Sequence, residues 1–276
     1  MPCVTPEQLT GRYSRIVLAV KAHATETAMT QLLPDLHDDK YVLSAQNGLN
    51  ERVGSARTMG AFVNYGADWI CPGRILFCNR GAVVVGEVDG SPRHRTTEMH
   101  RLLQIFAPEA VLTQDIFAYR WGKLGYSAML FATALTPDSM QANSADPARA
   151  PALIAFAREV MQTAVAEGVN PKPFNGFEPR AFLPGAADTA ALQGLADLAF
   201  FNSKTAKTHT GIYRDLAVRK RKTEADPQVG AVANIAAGHG IDTPALIRLV
   251  ELIHDIEDGR RDISAKTFHE LTKVLT

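Results

Sequence analysis

The chain has 276 residues, 46% of them hydrophobic, which is enough for one large domain or two ordinary ones with a real core. Its 29 basic and 29 acidic side chains balance, so there is no global electrostatic reason to expect nucleic acid or an anionic membrane as a partner. No run approaches the ~20 apolar residues of a membrane span, the N-terminus has no signal-peptide pattern and three cysteines favour reduced thiols, so a cytoplasmic protein is expected.

The first elements predict a strand, a helix and a second strand. Residues 13–20 end in a continuous apolar run, which suits a parallel strand covered on both faces, and residues 40–46 form the second strand. Lys21, Gln46 and Asn47 follow the carboxyl ends of these strands. Ligands bind at that edge of open α/β sheets, so these side chains are candidate ligand-binding groups.

Shorter β-rich segments follow. Residues 59–65, 74–79 and 82–87 are separated by Pro-Gly and Arg-Gly pairs, which predict turns and therefore an antiparallel meander. Residues 91–106 are predicted to form a helix and residues 110–117 a last strand.

Residues 119–136 are predicted to form one helix, ended by Pro137. Apolar side chains surround nearly its whole circumference, which is typical of a buried helix, yet Lys123 lies among them and Ser127 shares its side. A lysine in such a place either extends to water or sits in a cleft where desolvation lowers its pKa from about 10.4. In the second case it can donate a proton near neutral pH.

The rest of the chain is predicted to be helical. A proline-rich loop over 170–185 separates two of the predicted helices. A loop of this length is expected to cover a site. The predicted helices cover residues 151–167, 188–200, 210–223, 227–237, 244–258 and 264–275. The predicted organisation is an α/β part over 1–118 followed by an all-α part over 119–276.

A second concentration of polar residues lies between 204 and 224. In one interpretation, Arg219 to Lys222 is a solvated basic face or a small patch for phosphate or RNA, and Glu224 pairs with Lys220. In the other, the segment brings a carboxylate and several cations close to an interdomain cleft. Sequence spacing leaves both open, although no aromatic stacking platform accompanies the patch and RNA binding is not favoured.

The order and spacing of four motifs resemble those of the ketopantoate reductases (2-dehydropantoate 2-reductases), over essentially the whole chain. The motifs are Val20-Lys21-Ala22, Gln46-Asn47-Gly48, Trp121-Gly122-Lys123-Leu124, and Arg214-Asp215 followed by Arg221-Lys222-Thr223-Glu224. The resemblance implies a Rossmann-type NADP-binding domain and a helical domain like that of 6-phosphogluconate dehydrogenase, with a 2-oxo acid bound in the cleft. It is also compatible with a homodimer.

The resemblance assigns roles to residues. Lys123 matches the catalytic lysine and Glu224 the active-site glutamate, which also contacts cofactor. Asn47, Ser127 and Thr210 correspond to substrate-binding positions. Cofactor binding is implied for Lys21, Gln46, Asn47, Gly48 and Glu224, and no metal is implied. In this reading Lys123 protonates the ketone oxygen as hydride reaches the carbon.

Two departures from the family pattern matter. Ser127 and Phe131 stand where family members usually carry asparagines, and phenylalanine cannot hydrogen-bond a substrate, so another 2-oxo acid than 2-dehydropantoate is a candidate. None of the twenty glycines forms the G-x-G-x-x-G phosphate loop, so the α/β domain looks cut off before its first strand.

The missing loop has consequences. The strand over 13–20 would become a bare sheet edge, and the cofactor pyrophosphate would lose its helix N-terminus. We therefore expect weak NADP(H) binding by this chain. The alternative function is a non-catalytic helical binding or dimerisation module that keeps these motifs without using them.

Overall fold

The computed structural model describes residues 3–46 and 54–273. Asn47 and Gly48, two of the predicted site residues, lie outside the described residues. The described strands are β1 (Tyr13–Leu18), β2 (Leu36–Ser44), β3 (Thr58–Val63), β4 (Gly66–Cys71), β5 (Arg74–Asn79), β6 (Val83–Glu87) and β7 (Val111–Leu112). The described helices are α1 (Thr25–Leu32), α2 (His94–Phe106), α3 (Ile116–Thr133), α4 (Met140–Ala145), α5 (Ala150–Ala166), α6 (Asp188–Ser203), α7 (Gly211–Ala217), α8 (Ala231–Gly238), α9 (Pro244–Glu257) and α10 (Ala265–Thr272).

The chain divides into two compact units. The sheet unit consists of Met1–Asn64 and Ala82–Phe117, and the helical unit of Tyr65–Gly81 and Ala118–Thr276. This division differs from the predicted organisation in one segment, because residues 65–81 belong with the helices rather than with the sheet around them in sequence.

The sheet unit has a five-stranded mixed sheet in the order β1-β2-β3-β6-β7. β1, β2 and β3 are parallel, as are β6 and β7, whereas β3 and β6 are antiparallel. The predicted strand, helix and strand are therefore confirmed as β1, α1 and β2. With the helical second part, the predicted fold class is also confirmed.

The core of this unit lies on both sides of β2. Tyr41 and Leu43 pack with Met99 of α2, while Val42 packs with Met29 of α1. Because neighbouring residues of a strand point to opposite faces, α1 and α2 cover opposite faces of the sheet.

Three details of the predicted sheet were wrong. β3 pairs with β2 and β6, so there is no continuous meander, and β4, which was not predicted, pairs only with β5 in a separate hairpin. The predicted strand over 110–117 is two residues long, since α3 already begins at Ile116. β1 lies at a sheet edge, and Val17 is 55% exposed, so the expected coverage of both faces fails.

The helical unit surrounds α3. Its predicted helices are confirmed, although the one predicted over 210–223 ends at Ala217 and the short α4 was missed. The proline-rich stretch packs on α3, where Phe177 lies against Gly125, and Phe174, Phe177 and Phe182 are buried. This loop thus completes the core around α3. Among the described residues, no helix combines the length and the apolar character that crossing a membrane requires.

Candidate active site

The helix α3 has two different sides. Gly122 and Gly125 lie under the proline-rich stretch, where the absent side chains allow close packing. Arg120, Lys123 and Ser127 are spaced by three and four residues, so they share another side of the helix. This side carries two cations in an otherwise apolar helix.

Lys123 is partly accessible, yet protein atoms surround it densely. Its pKa is lowered to about 8, chiefly by desolvation; the nearby Glu224 raises it, and Arg120 and Lys207 lower it. Arg120 is buried, and desolvation lowers its pKa to about 10. Lys123 therefore has the setting that a proton-donating ammonium needs near neutral pH, and it lies within electrostatic range of Glu224.

Glu224 is placed by the loop that precedes it. The buried Asp215 accepts hydrogen bonds from Arg219 Nη1 and Arg221 Nε, both at 2.9 Å. At the end of the loop the backbone N–H of Thr223 donates to Glu257 Oε1 at 2.7 Å. These contacts fix the turn that carries the buried Glu224, which gives the spacing of the Arg-Asp and Arg-Lys-Thr-Glu motifs a physical cause.

The same contacts bear on the two interpretations of the basic segment. Two of its cations, Arg219 and Arg221, form ion pairs with Asp215. Lys220 is exposed, with a φ of 49°, whereas Glu224 is buried and its charge acts on Lys123. The segment therefore helps to build the loop, and two of the four cations of the predicted basic patch share one carboxylate, that of Asp215.

The other predicted positions in the helical unit are buried. Ser127 is 7% exposed and Phe131 is 1% exposed. Thr210 caps α7, because its Oγ1 accepts a hydrogen bond from the backbone N–H of Tyr213 at 2.9 Å. The hydroxyl of Thr210 thus has a structural partner, and its proton remains available to a ligand.

Sequence reasoning missed the contact between the β4–β5 hairpin and the helices. Asp68 of β4 is 5% exposed and lies 2.7 Å from Arg214 Nη2 and 3.6 Å from Lys207 Nζ. Asn79 Oδ1 accepts a hydrogen bond from Thr205 Oγ1 at 3.0 Å. In the sequence, the signal for this contact is the carboxylate of Asp68 within an apolar segment. The sequence does not indicate which cations pair with it.

In the sheet unit, the ends of β1 and β2 are joined through Gln46. Its Nε2 donates to Val20 O at 3.0 Å and to Thr25 Oγ1 at 2.6 Å, while its Oε1 is buried without a partner among the described residues. Lys21 is exposed and precedes the 3-10 turn Ala22–Ala24. The strand ends therefore meet as predicted, and the part of the chain that the structure describes leaves one buried acceptor there unsatisfied.

The fold defines a class of protein. A Rossmann-type sheet followed by a helical unit is an architecture of nicotinamide-dependent oxidoreductases, and here the helical unit contains a lysine of lowered pKa with a carboxylate in its electrostatic range. Within the described part of the chain, no three His, Cys, Asp or Glu residues are grouped to hold a metal ion.

The chain belongs to the ketopantoate reductase family. Residues 2–90 match the family description "Ketopantoate reductase PanE/ApbA" and residues 115–257 match "Ketopantoate reductase PanE/ApbA C terminal". The resemblance drawn from the four motifs is thereby confirmed. A curated relative is the 2-dehydropantoate 2-reductase of Archaeoglobus fulgidus, which is 25% identical over 248 residues, or 88% of this chain and 76% of the relative.

Solved structures share the fold. A D-mandelate dehydrogenase in complex with NADH and anilino(oxo)acetate has a TM-score of 0.76 at 18% identity, covering 94% of this chain and 81% of that one. A dimeric ketopantoate reductase from Staphylococcus aureus has a TM-score of 0.71 at 18% identity, covering 93% of this chain and 81% of that one.

Proposed function

We propose that this protein reduces a 2-oxo acid to its 2-hydroxy product with a nicotinamide cofactor, NADPH by family resemblance. The observation that carries the proposal is the pKa of Lys123, which desolvation lowers to about 8 beside Glu224. Below that pH the ammonium is charged, so it can stabilise the negative charge that grows on a ketone oxygen and then give up its proton.

The chemistry balances with one external reductant. When bound, the nicotinamide cofactor would supply a hydride, that is, a proton with two electrons, to the carbonyl carbon. Lys123 gives the second proton to the oxygen and recovers one from solvent afterwards. Glu224 holds the ammonium in its charged form, because an adjacent carboxylate favours the protonated lysine.

The residues of the sheet unit are compatible with a dinucleotide. The buried Gln46 Oε1, which has no partner among the described residues, is an acceptor at the carboxyl ends of two parallel strands, where such ligands bind. We assign Lys21, Gln46, Asn47 and Gly48 to this side of the cofactor. Glu224 is the residue of the helical unit proposed to contact it.

The substrate class follows from the relatives and from the residues after Lys123. The curated relative acts on 2-dehydropantoate, and the D-mandelate dehydrogenase was solved with anilino(oxo)acetate. Both compounds carry a carbonyl next to a carboxylate. Ser127 and Thr210, with Asn47, are proposed to bind the polar part of the substrate. Phe131 offers no hydrogen bond, which favours a substrate with fewer hydroxyl groups than 2-dehydropantoate.

A screen of 2-oxo acids with NADPH and NADH tests the function. Because none of the glycines forms the phosphate loop, the assay should use millimolar cofactor, with absorbance of the reduced nicotinamide as the readout. We expect at least one acid to be reduced, and turnover by Lys123→Ala to be lower by roughly two to four orders of magnitude. If no acid is reduced although the protein is folded, the non-catalytic module is the better interpretation.

We also propose a homodimer, because a structural relative is dimeric. Sedimentation velocity at micromolar concentration distinguishes a species of two chains from one of a single chain.

A further inference from the structure

The hairpin of β4 and β5 carries apolar side chains on one of its two faces. Two cross-strand pairs form this face, which we call the outer face: Ala67 with Phe77 and Trp69 with Ile75. Alternate residues of a strand point to opposite sides, so Asp68 lies on the other face, where it is 2.7 Å from Arg214 Nη2. The hairpin therefore directs its carboxylate towards the helices and four uncharged side chains away from it.

The outer face is widely exposed. Trp69 and Phe77 are each 56% exposed, and Ile75 is 69% exposed. Since a whole aromatic side chain presents about 150–250 Å², and isoleucine somewhat less, the three side chains expose roughly 400 Å² of apolar surface. An apolar patch of roughly 300–600 Å² is the largest that an ordinary monomer carries, and such a patch is often functional. Its size makes the outer face a candidate contact surface.

Contacts with neighbouring residues hold the outer face in place. Asn79 Oδ1 accepts a hydrogen bond from Thr205 Oγ1 at 3.0 Å, which ties β5 to the segment after α6. The ring of Tyr65 packs edge-on against Phe77, with ring centroids 6.0 Å apart. A hairpin alone is only marginally stable, whereas this one is supported from below. A surface that is already ordered loses little conformational entropy when a partner binds.

The size and the charge of the outer face suit a second copy of the chain. A standard interface takes roughly 800 Å² from each partner, of which a little over half, or about 450 Å², is apolar. The roughly 400 Å² of the outer face nearly supplies that share. In a symmetric dimer one patch meets its own copy, so a charge near the axis would face a like charge. The four side chains of the outer face carry no charge.

We propose that two copies of this chain associate through the outer faces of their hairpins, with Trp69, Ile75 and Phe77 at the centre of the interface. The inference rests on the homodimer proposed above and adds the surface that forms it. Large aromatic side chains at the centre of an interface contribute most of the binding free energy, and Trp69 and Phe77 are such side chains.

The fluorescence of the wild-type protein tests the surface without a substitution. The chain has two tryptophans, of which Trp121 is 2% exposed and Trp69 is 56% exposed. Diluting the protein until sedimentation velocity shows single chains should uncover Trp69, so the emission should move to longer wavelength and acrylamide should quench it more strongly. Trp69→Phe should remove both changes. An emission that stays constant while the dimer dissociates overturns the inference.

Charged substitutions at Ile75 provide the second test. Ile75→Glu and Ile75→Lys each place like charges opposite one another, so each should raise the Kd of the dimer by roughly 100-fold or more, with unchanged circular dichroism. Mixing the two variants should restore a species of two chains, because opposite charges then meet. Ile247→Glu is the matched control, since Ile247 is 51% exposed on α9, and it should leave the dimer intact.

The outcomes separate this surface from the other proposals. If both charged variants remain dimeric, or if they dissociate and do not recover on mixing, the surface is overturned and the homodimer is kept. If the wild-type protein sediments as a single chain, the homodimer and the surface are both overturned. The proposed reductase activity depends on neither result, because the screen of 2-oxo acids tests it separately.

Discussion

A Cβ atom on Gly122 would lie 2.7 Å from the backbone carbonyl oxygen of Lys172. One helical turn before Gly122 in α3, the carbonyl oxygen of Ala118 accepts a hydrogen bond from the N–H of Lys172 at 3.0 Å. The proline-rich stretch therefore approaches α3 backbone to backbone, directly beside the residue that precedes Lys123.

Gly122→Ala should consequently destabilise the fold, by about 1–3 kcal/mol, because the added methyl group meets backbone rather than a flexible side chain. Gly238→Ala in α8 is the matched control: a Cβ there meets nothing within 4 Å, so helix propensity should leave stability equal or slightly higher. Urea unfolding followed by circular dichroism measures both. Equal stabilities of the two variants would contradict the close packing of the loop on α3.

Lys123 is expected to lower the free energy of unfolding. Its pKa is lowered to about 8, against about 10.4 for an unperturbed lysine, so near pH 7 the fold holds a poorly solvated charge. Lys123→Met should raise the free energy of unfolding at pH 7 by about 1–2 kcal/mol, less than the full shift implies because the side chain is partly accessible.

The pH dependence of this difference has a defined sign. Above about pH 8 the folded protein releases the proton while the unfolded chain keeps it up to about pH 10.4, so the stability of the wild type rises relative to Lys123→Met across this window. Chemical unfolding of both proteins at pH 7 and pH 10 checks it, with Lys204→Met as the control at an exposed lysine. A difference that stays constant with pH would mean that Lys123 is well solvated in the fold.

Local signals in the sequence predicted much of the architecture. The apolar run of β1 and the helical spacing of α1 are set by neighbours in the chain, and the predicted start of a helix at residue 244 agrees with the start of α9 at Pro244. The hairpin of β4 and β5 could not be predicted from such local signals. Its strand β4 is an apolar segment with one carboxylate, Asp68, whose partners Lys207 and Arg214 are distant in sequence, so nothing local could place it with the helices.

The candidate site divides in the same way. Lys123 attracted attention because a charge within an apolar helix is unusual, and Glu224 came from the family resemblance. Arg120 could have been found from its spacing of three residues to Lys123. The role of Asp215 in building the loop before Glu224 depends on a turn with a left-handed residue, Lys220, whose φ of 49° is not encoded by a typical glycine or asparagine.

Glu224→Gln should shift the pH dependence of the reduction. The carboxylate raises the pKa of Lys123, so its removal lowers that pKa further. The wild-type rate should fall as pH rises through about 8, where the acid loses its proton, and in the variant the same fall should occur at lower pH.

Steady-state rates measured from pH 6 to pH 10 locate the fall in rate for the wild type and for Glu224→Gln. Glu251→Gln is the control, because Glu251 pairs with Arg248 on the surface, and its profile should match the wild type. If Glu224→Gln lowers the rates but leaves the pH at which they fall unchanged, Glu224 contributes to ligand binding alone.

The cofactor affinity provides the last test. No G-x-G-x-x-G sequence occurs in the 276 residues, so we expect a pyrophosphate to bind without the glycine turn that normally holds it. The free energy of binding would then come from other groups, among them those at the strand ends around Gln46. Isothermal titration of the 276-residue chain with NADPH should give a Kd well above the micromolar range. Micromolar binding would mean that other backbone N–H groups of this chain bind the phosphates, and soaking NADPH into crystals would locate them.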